Sequence, residues 1–363
     1  MKLRSTLLVM HRWAGIVTAF FLLVVAITGC ALIFENNIDR ALNPDTAYVT
    51  PGQHPLPAEA LVAAVATEYP GARVQGLRRE RDPGFAWQAT LSNHMTAFVN
   101  PYSGDVLGTR DLQQGFARWI HLLHTRFLVG DKGELFVGWL TVITVLMSLT
   151  GIYLWWPRKI LGIRRYSSWR RTNFDVHSAL GFWASILIFL ISFTGVLIAF
   201  EKTTDKWVQT LGAAPVVPVA ALKSTPRQGA TRIPVDDAVR IAETALPGAY
   251  VQTLNVPQRP GDIYRVFAKF PEDRTPAGRS HVYIDQFSGK VLAVDNTRTA
   301  PLGTKILNLK RSLHTGDEFG APSLILYFLA SFALAGQVVS GVLLWWKPKR
   351  KAPAAAKRET TAA

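Results

Sequence analysis

Residues 177–201 read HSALGFWASILIFLISFTGVLIAFE, and residues 11–35 read HRWAGIVTAFFLLVVAITGCALIFE. In both stretches a glutamate lies 24 positions after the leading histidine, and Thr-Gly falls at the same offset, Thr28-Gly29 and Thr194-Gly195. Between the ends runs an apolar segment, 13–34 or 180–200, with no charged residue. A helix needs roughly 20 apolar residues to cross the hydrocarbon core of a bilayer, so each copy predicts a membrane span. The chain is therefore read first as a duplication.

Working outward, two more uncharged spans appear at 135–156 and 324–346. They end in Trp155-Trp156-Pro157 and Trp345-Trp346-Lys347-Pro348, the tryptophans that suit an interfacial belt. Each carries a small pair as well, Thr150-Gly151 and Ser340-Gly341. Close helix packing explains such pairs, because small residues let backbones approach; close approach of a flat cofactor is the sharper and compatible reading. Ile27-Thr28-Gly29-Cys30 resembles a lipoprotein cleavage box. The second copy argues against cleavage, since Val196 stands there in place of Cys30.

Between the spans of each half lies a polar segment that reads as an α+β module. In the first, a helix over 57–69 precedes strands at 73–79, 85–91 and 96–100. In the second, a helix opening at Ile233-Pro234 precedes strands at 250–256, 263–270 and 281–285. The turns Pro101-Tyr102-Ser103-Gly104-Asp105 and Gln286-Phe287-Ser288-Gly289-Lys290 match each other.

The net charge of +15, from 40 Lys and Arg against 25 Asp and Glu, does not point to nucleic acid, because much of it sits in short runs beside the spans. The N-terminus, the 157–176 loop and the 347–363 tail are basic, which places them in the cytoplasm by the positive-inside rule. Both modules then face the periplasm, and two crossings per half make the repeats parallel. The expected fold is an α-helical membrane protein with four transmembrane helices in two parallel repeats plus two periplasmic α+β domains. Its order is N-terminus and first helix (1–35), first module (36–118), second helix with its lead-in (119–156), basic loop (157–176), third helix (177–201), second module (202–305), fourth helix with its lead-in (306–346) and basic tail (347–363).

The single cysteine, Cys30, excludes a disulfide framework and a thiolate metal cluster. Histidine remains. His11 and His177 lie at the cytoplasmic ends of the first and third helices, and His124 and His314 at the outer ends of the second and fourth. Two facing imidazoles in each leaflet are what bis-His haem needs, although an interfacial histidine also serves as a plain polar cap. His121 has Arg311 at its repeat position and so breaks the symmetry, as a substitute ligand, a propionate partner or a surface residue. His54, His94 and His281 fall in the modules and read as solvent-facing; Glu35 and Glu201 read as helix ends at the outer interface. No HExxH, Walker or GxGxxG motif occurs, and Asp317-Glu318 has Phe127-Leu128 as its counterpart.

Taken together, the His-x(23)-Glu spans, the module endings NPYSGDVLG and DQFSGKVLA, the LHT triplets at 123–125 and 313–315 and the WWP and WWKP endings resemble the PepSY-associated transmembrane family over nearly the whole chain to residue 348. That resemblance implies PepSY domains in the periplasm, haem b in the inner membrane and electron delivery to a ferric siderophore. The expected activity is a ferric-siderophore reductase holding two haem b groups on His11, His177, His124 and His314, with catalytic residues unassigned. This chain lacks the cytoplasmic flavodoxin-like domain of some relatives, so its expected donor is quinol or a separate cytoplasmic reductase. Two other readings stay open. One is a membrane-anchored PepSY binding or regulatory protein without redox activity; the other is a chelate transporter, disfavoured because no span holds a charge.

Overall fold

The computed structural model of the chain describes residues 2–164, 168–210, 212, 218–226, 229–273 and 278–346. The basic tail 347–363 and Arg165 lie outside the described residues.

Four helices are long and apolar enough to cross a membrane among the described residues: α1 (Lys2–Ile33), α6 (Asp131–Trp155), α7 (Trp169–Ala199) and α11 (Ala321–Trp345). They coincide with the four uncharged spans. α1 and α7 run further into the basic flanks than the apolar spans do, because Lys and Arg are good helix formers whose charged heads reach water from either leaflet surface. The helices close a ring in which α1 packs on α6 and α11, and α7 packs on α6 and α11. On α1 the inward side is Thr18, Leu22, Ala26 and Thr28, while Val17, Phe20 and Ile27 point outward. Apart from Leu22, small and hydroxylated residues face neighbours and bulky apolar ones face outward, the arrangement expected where lipid is the solvent.

Beyond the spans, α1 leads into α2 (Glu35–Leu42) and α3 (Pro44–Ala47), then α4 (Ala58–Glu68) and strands β1 (Val74–Arg78), β2 (Trp87–Leu91), β3 (Thr96–Val99) and β4 (Val106–Arg110). After α5 (Phe116–Arg126) and the second span, the same order recurs. α7 leads into α8 (Glu201–Thr210), α9 (Val235–Ala245), strands β5 (Tyr250–Asn255), β6 (Ile263–Lys269), β7 (Ser280–Asp285) and β8 (Val291–Asp295), and α10 (Leu302–Thr315). Each module carries one strand more than the sequence reading. β4 and β8 follow directly on the matched turns, and their short runs (VLGTR, VLAVD) read as turn ends until they pair with β3 and β7.

All eight strands form one antiparallel sheet in the order β4-β3-β2-β1-β5-β6-β7-β8. The modules meet where Leu77 of β1 stands opposite Leu254 of β5. Gly76 fits that seam closely, since a Cβ there would sit 3.1 Å from the Leu254 carbonyl oxygen, tighter than ordinary contact. α4 and α9 cover one face over a shared core that includes Leu61, Val65, Leu77, Val235, Leu254 and Tyr264. Each helix is capped by a carboxylate on the other: Asp236 accepts from the backbone N–H of Ala58 and Glu59 at 2.7 and 3.1 Å, and Glu59 accepts from that of Val235 at 2.6 Å.

α5 and α10 hold the outer histidines, and each turns sharply into a span. Phe127 and Leu128 both adopt left-handed backbone after α5. Gly133 then docks α6 on the end of α5, where a Cβ would collide with the Arg126 carbonyl oxygen. α10 ends on Gly316, left-handed at φ 82°.

Candidate functional site

The four small pairs of the spans and the four histidines meet one to one. His11 Nδ1 lies 3.0 Å from Thr150 Oγ1, His177 Nδ1 3.0 Å from Ser340 Oγ, and His124 Nδ1 3.0 Å from Thr28 Oγ1. His314 Nδ1 lies 3.4 Å from Thr194 Oγ1 and 2.9 Å from the Ile191 carbonyl oxygen. The glycine of each pair lies under the same ring. A Cβ added at Gly151, Gly341, Gly29 or Gly195 would stand 3.4, 3.3, 3.3 or 3.2 Å from Cε1 of His11, His177, His124 or His314. The flat group that these pairs admit is therefore an imidazole from a neighbouring element.

The hydroxyls favour one tautomer. Each donates its one proton to the carbonyl four residues earlier on its own helix: Thr28 to Val24 at 2.7 Å, Thr150 to Leu146 at 2.8 Å, Thr194 to Leu190 at 2.7 Å and Ser340 to Gly336 at 2.7 Å. With its proton given to that carbonyl, the hydroxyl oxygen accepts from the ring, and Nδ1 carries the hydrogen. Nε2 keeps its lone pair, the state in which imidazole binds a metal. Burial pushes His124 down to about 3, with His314 as the next cause, and burial lowers His314 as well. Both rings are neutral at physiological pH.

The histidines gather in two pairs. His124 and His314 face each other with ring centroids 6.5 Å apart and planes inclined by 56°. Two imidazoles bonded to opposite sides of one metal would stand about 6 Å apart, given metal–nitrogen bonds of about 2 Å. His11 and His177 line a cavity of about 810 Å3 between the four spanning helices. This size falls within the roughly 300–1,000 Å3 of small-molecule and cofactor sites. Gly151 and Gly341 contribute to its walls, and Arg4, Arg12, Arg158 and Arg170 line it too. Arg4 donates to the Leu154 carbonyl at 2.7 Å and Arg170 to the Leu344 carbonyl at 3.1 Å, which satisfies the open ends of α6 and α11. Among the described residues, no three His, Cys, Asp or Glu side chains converge on a point.

The remaining candidates separate from these pairs. His121 sits one turn before His124 on α5; burial, then Arg118, Arg311 and Arg126, keep it neutral. His54 and His94 are exposed. His281 is half-buried on the sheet, with Nδ1 3.4 Å from Asp295 Oδ2 and its ring edge-on to Phe267, which the sequence reading missed because strand pairing alone brings these together. Glu35 and Glu201, read from the sequence as the ends of the spans, instead each begin the helix that follows the break after a span. Glu201 and Asp205 accept from the buried Lys310 Nζ at 2.6 and 2.8 Å.

A family model described as the PepSY-associated TM region matches residues 8–347. The chain belongs to that family. The match spans all four helices, the eight-stranded sheet and all five candidate histidines. A search of curated proteins finds no match. PepSY-associated membership thus agrees with a multi-pass chain that carries an antiparallel α+β domain between its spans.

Proposed function

We propose that this PepSY-associated protein is a haem-containing inner-membrane reductase that passes electrons across the membrane to a periplasmic ferric siderophore. The observation that carries the proposal is the placement of the four imidazoles: two pairs, each ring with Nδ1 at hydrogen-bond distance from a partner on another element, the arrangement that leaves Nε2 for a metal. His11 and His177 would hold one haem b in the cavity between the helices, and His124 and His314 a second one nearer the sheet. Haem in these sites would supply one-electron chemistry between ferric and ferrous iron.

The residues around each pair have their own tasks. Ile16, Leu22 and Ile188 among the cavity's lining would give a bound ring system apolar surroundings. Arg4, Arg12, Arg158 and Arg170 present cations suited to the carboxylates of a propionate-bearing ligand. In this reading the basic loop and both termini are cytoplasmic, the halves are parallel repeats, and the PepSY modules stand in the periplasm. The donor is quinol or a cytoplasmic reductase. Reduction would release iron because hard oxygen ligands favour Fe(III) over Fe(II).

The test is a reduced-minus-oxidised spectrum of the purified chain with pyridine haemochrome quantitation, followed by ferric-siderophore reduction in proteoliposomes. Two haem b per chain and reduction dependent on a donor are expected. A protein that carries no Soret band, or whose four histidines can all be replaced without loss of function, would instead be a membrane-anchored PepSY binding protein.

A further inference from the structure

Four times in this chain, a hydroxyl residue followed by glycine receives an imidazole from another element, with hydroxyl to Nδ1 and glycine under Cε1. Helix packing alone does not require this. Small residues would let helices approach without any hydroxyl aimed at a ring nitrogen, and the four pairs lie on all four spanning helices. We infer that Thr28-Gly29, Thr150-Gly151, Thr194-Gly195 and Ser340-Gly341 are imidazole seats: positioning residues that fix the tautomer and ring plane of each haem-binding histidine and so set its strength as an iron donor. The inference rests on the haem reading for its consequence and on contacts within the chain for its geometry.

The physical reason is the coupling between the two ring nitrogens. An Nδ1–H that donates a hydrogen bond makes Nε2 a better electron donor, which favours the ferric state and lowers the midpoint potential. Removing the acceptor reverses this and leaves a buried N–H without a partner. The seats are not equivalent. Among the described residues Thr150 Oγ1 is the one acceptor at hydrogen-bond distance from His11 Nδ1, whereas His314 Nδ1 also has the Ile191 carbonyl at 2.9 Å. His11 therefore depends on its seat more than His314 does.

The experiment uses the full chain in detergent with Thr150→Val, Thr150→Ser, Thr194→Val and Gly195→Ala. Valine keeps the shape of threonine and removes the acceptor. Serine keeps the acceptor, as Ser340 does naturally. Thr150→Val is expected to raise one midpoint potential and weaken haem retention about 10-fold or more; Thr150→Ser is expected to restore both. Thr194→Val should shift its haem by less, because the carbonyl remains. Gly195→Ala should change the low-spin electron paramagnetic resonance signal of one haem by displacing the His314 ring. Unchanged potentials in Thr150→Val, or equal shifts in Thr150→Val and Thr194→Val, would overturn the inference. If the wild-type chain binds no haem, the proposed function fails but the seats remain testable. Nitrogen NMR of histidine-labelled protein should then show the Nδ1-protonated tautomer at His11, His124, His177 and His314, and Nε2-protonated rings would sink the seats as well.

Discussion

Single side chains divide here into those that hold a ring and those that carry a charge out of water. In the proposed di-haem reading, His177→Ala removes one partner of the cavity pair, so about half of the haem should be lost while the His124/His314 site keeps its own. Haemochrome quantitation reads this directly, and full retention would refute the pairing. Glu35 tests a different point. Burial, and then Asp317, raise its carboxyl above the usual range, with Arg311 opposing. A raised carboxyl favours the protonated form in the fold, so its contribution is fully present below the unfolded value of 4.5 and lost as pH rises through the folded one. Glu35→Gln should therefore raise the melting temperature at pH 7.5 and leave it unchanged at pH 4. A difference at both values would mean that hydrogen bonding, and not ionisation, is what changed.

Among the elements, α4 and α9 depend on each other. Their N-terminal N–H groups have no partner within their own helices, and each set finds a carboxylate on the other helix. Asp236→Ala should cost about 1 kcal/mol, and its effect should appear in the first module although the residue lies in the second. Hydrogen exchange at Ala58 and Glu59 measures it, and unchanged protection there would show that the cap contributes nothing. α10 carries its own tie, from Lys310 to Glu201 and Asp205 on α8. Ile120 occupies the equivalent place on α5, so the two outer histidines are held by different forces behind similar seats.

At the scale of the molecule, two features combine: a closed ring of four spans and one continuous sheet that joins the modules through β1 and β5. The shared core means that a polar substitution at the seam damages both halves. Leu254→Asp should lower the thermal stability of the whole chain by several kcal/mol, about 3 or more, because an unpaired carboxylate would replace a fully buried side chain. Orientation is tested separately. In a Cys30→Ser background, Asn93→Cys should react with an impermeant thiol reagent in spheroplasts, and Arg164→Cys only after permeabilisation. Both positions are exposed, so the reverse pattern would invert the proposed topology.

Much of this was legible in the amino-acid order alone. Span length, the absence of charge and the repeat of histidine, Thr-Gly and glutamate determine four crossing helices and single out four histidines, because hydrophobic length and periodicity are local properties. Three strands and a helix per module follow from short-range patterning in the same way. What lay beyond the sequence depends on contacts between distant residues. The join of Leu77 to Leu254, the exchange of caps between Glu59 and Asp236 and the meeting of His124 with His314 each connect residues far apart in the chain. The small pairs show the division most clearly. Their sequence admits helix packing or a flat group, and only the fold brings an imidazole onto each hydroxyl, because Nδ1 must find its acceptor on a different element.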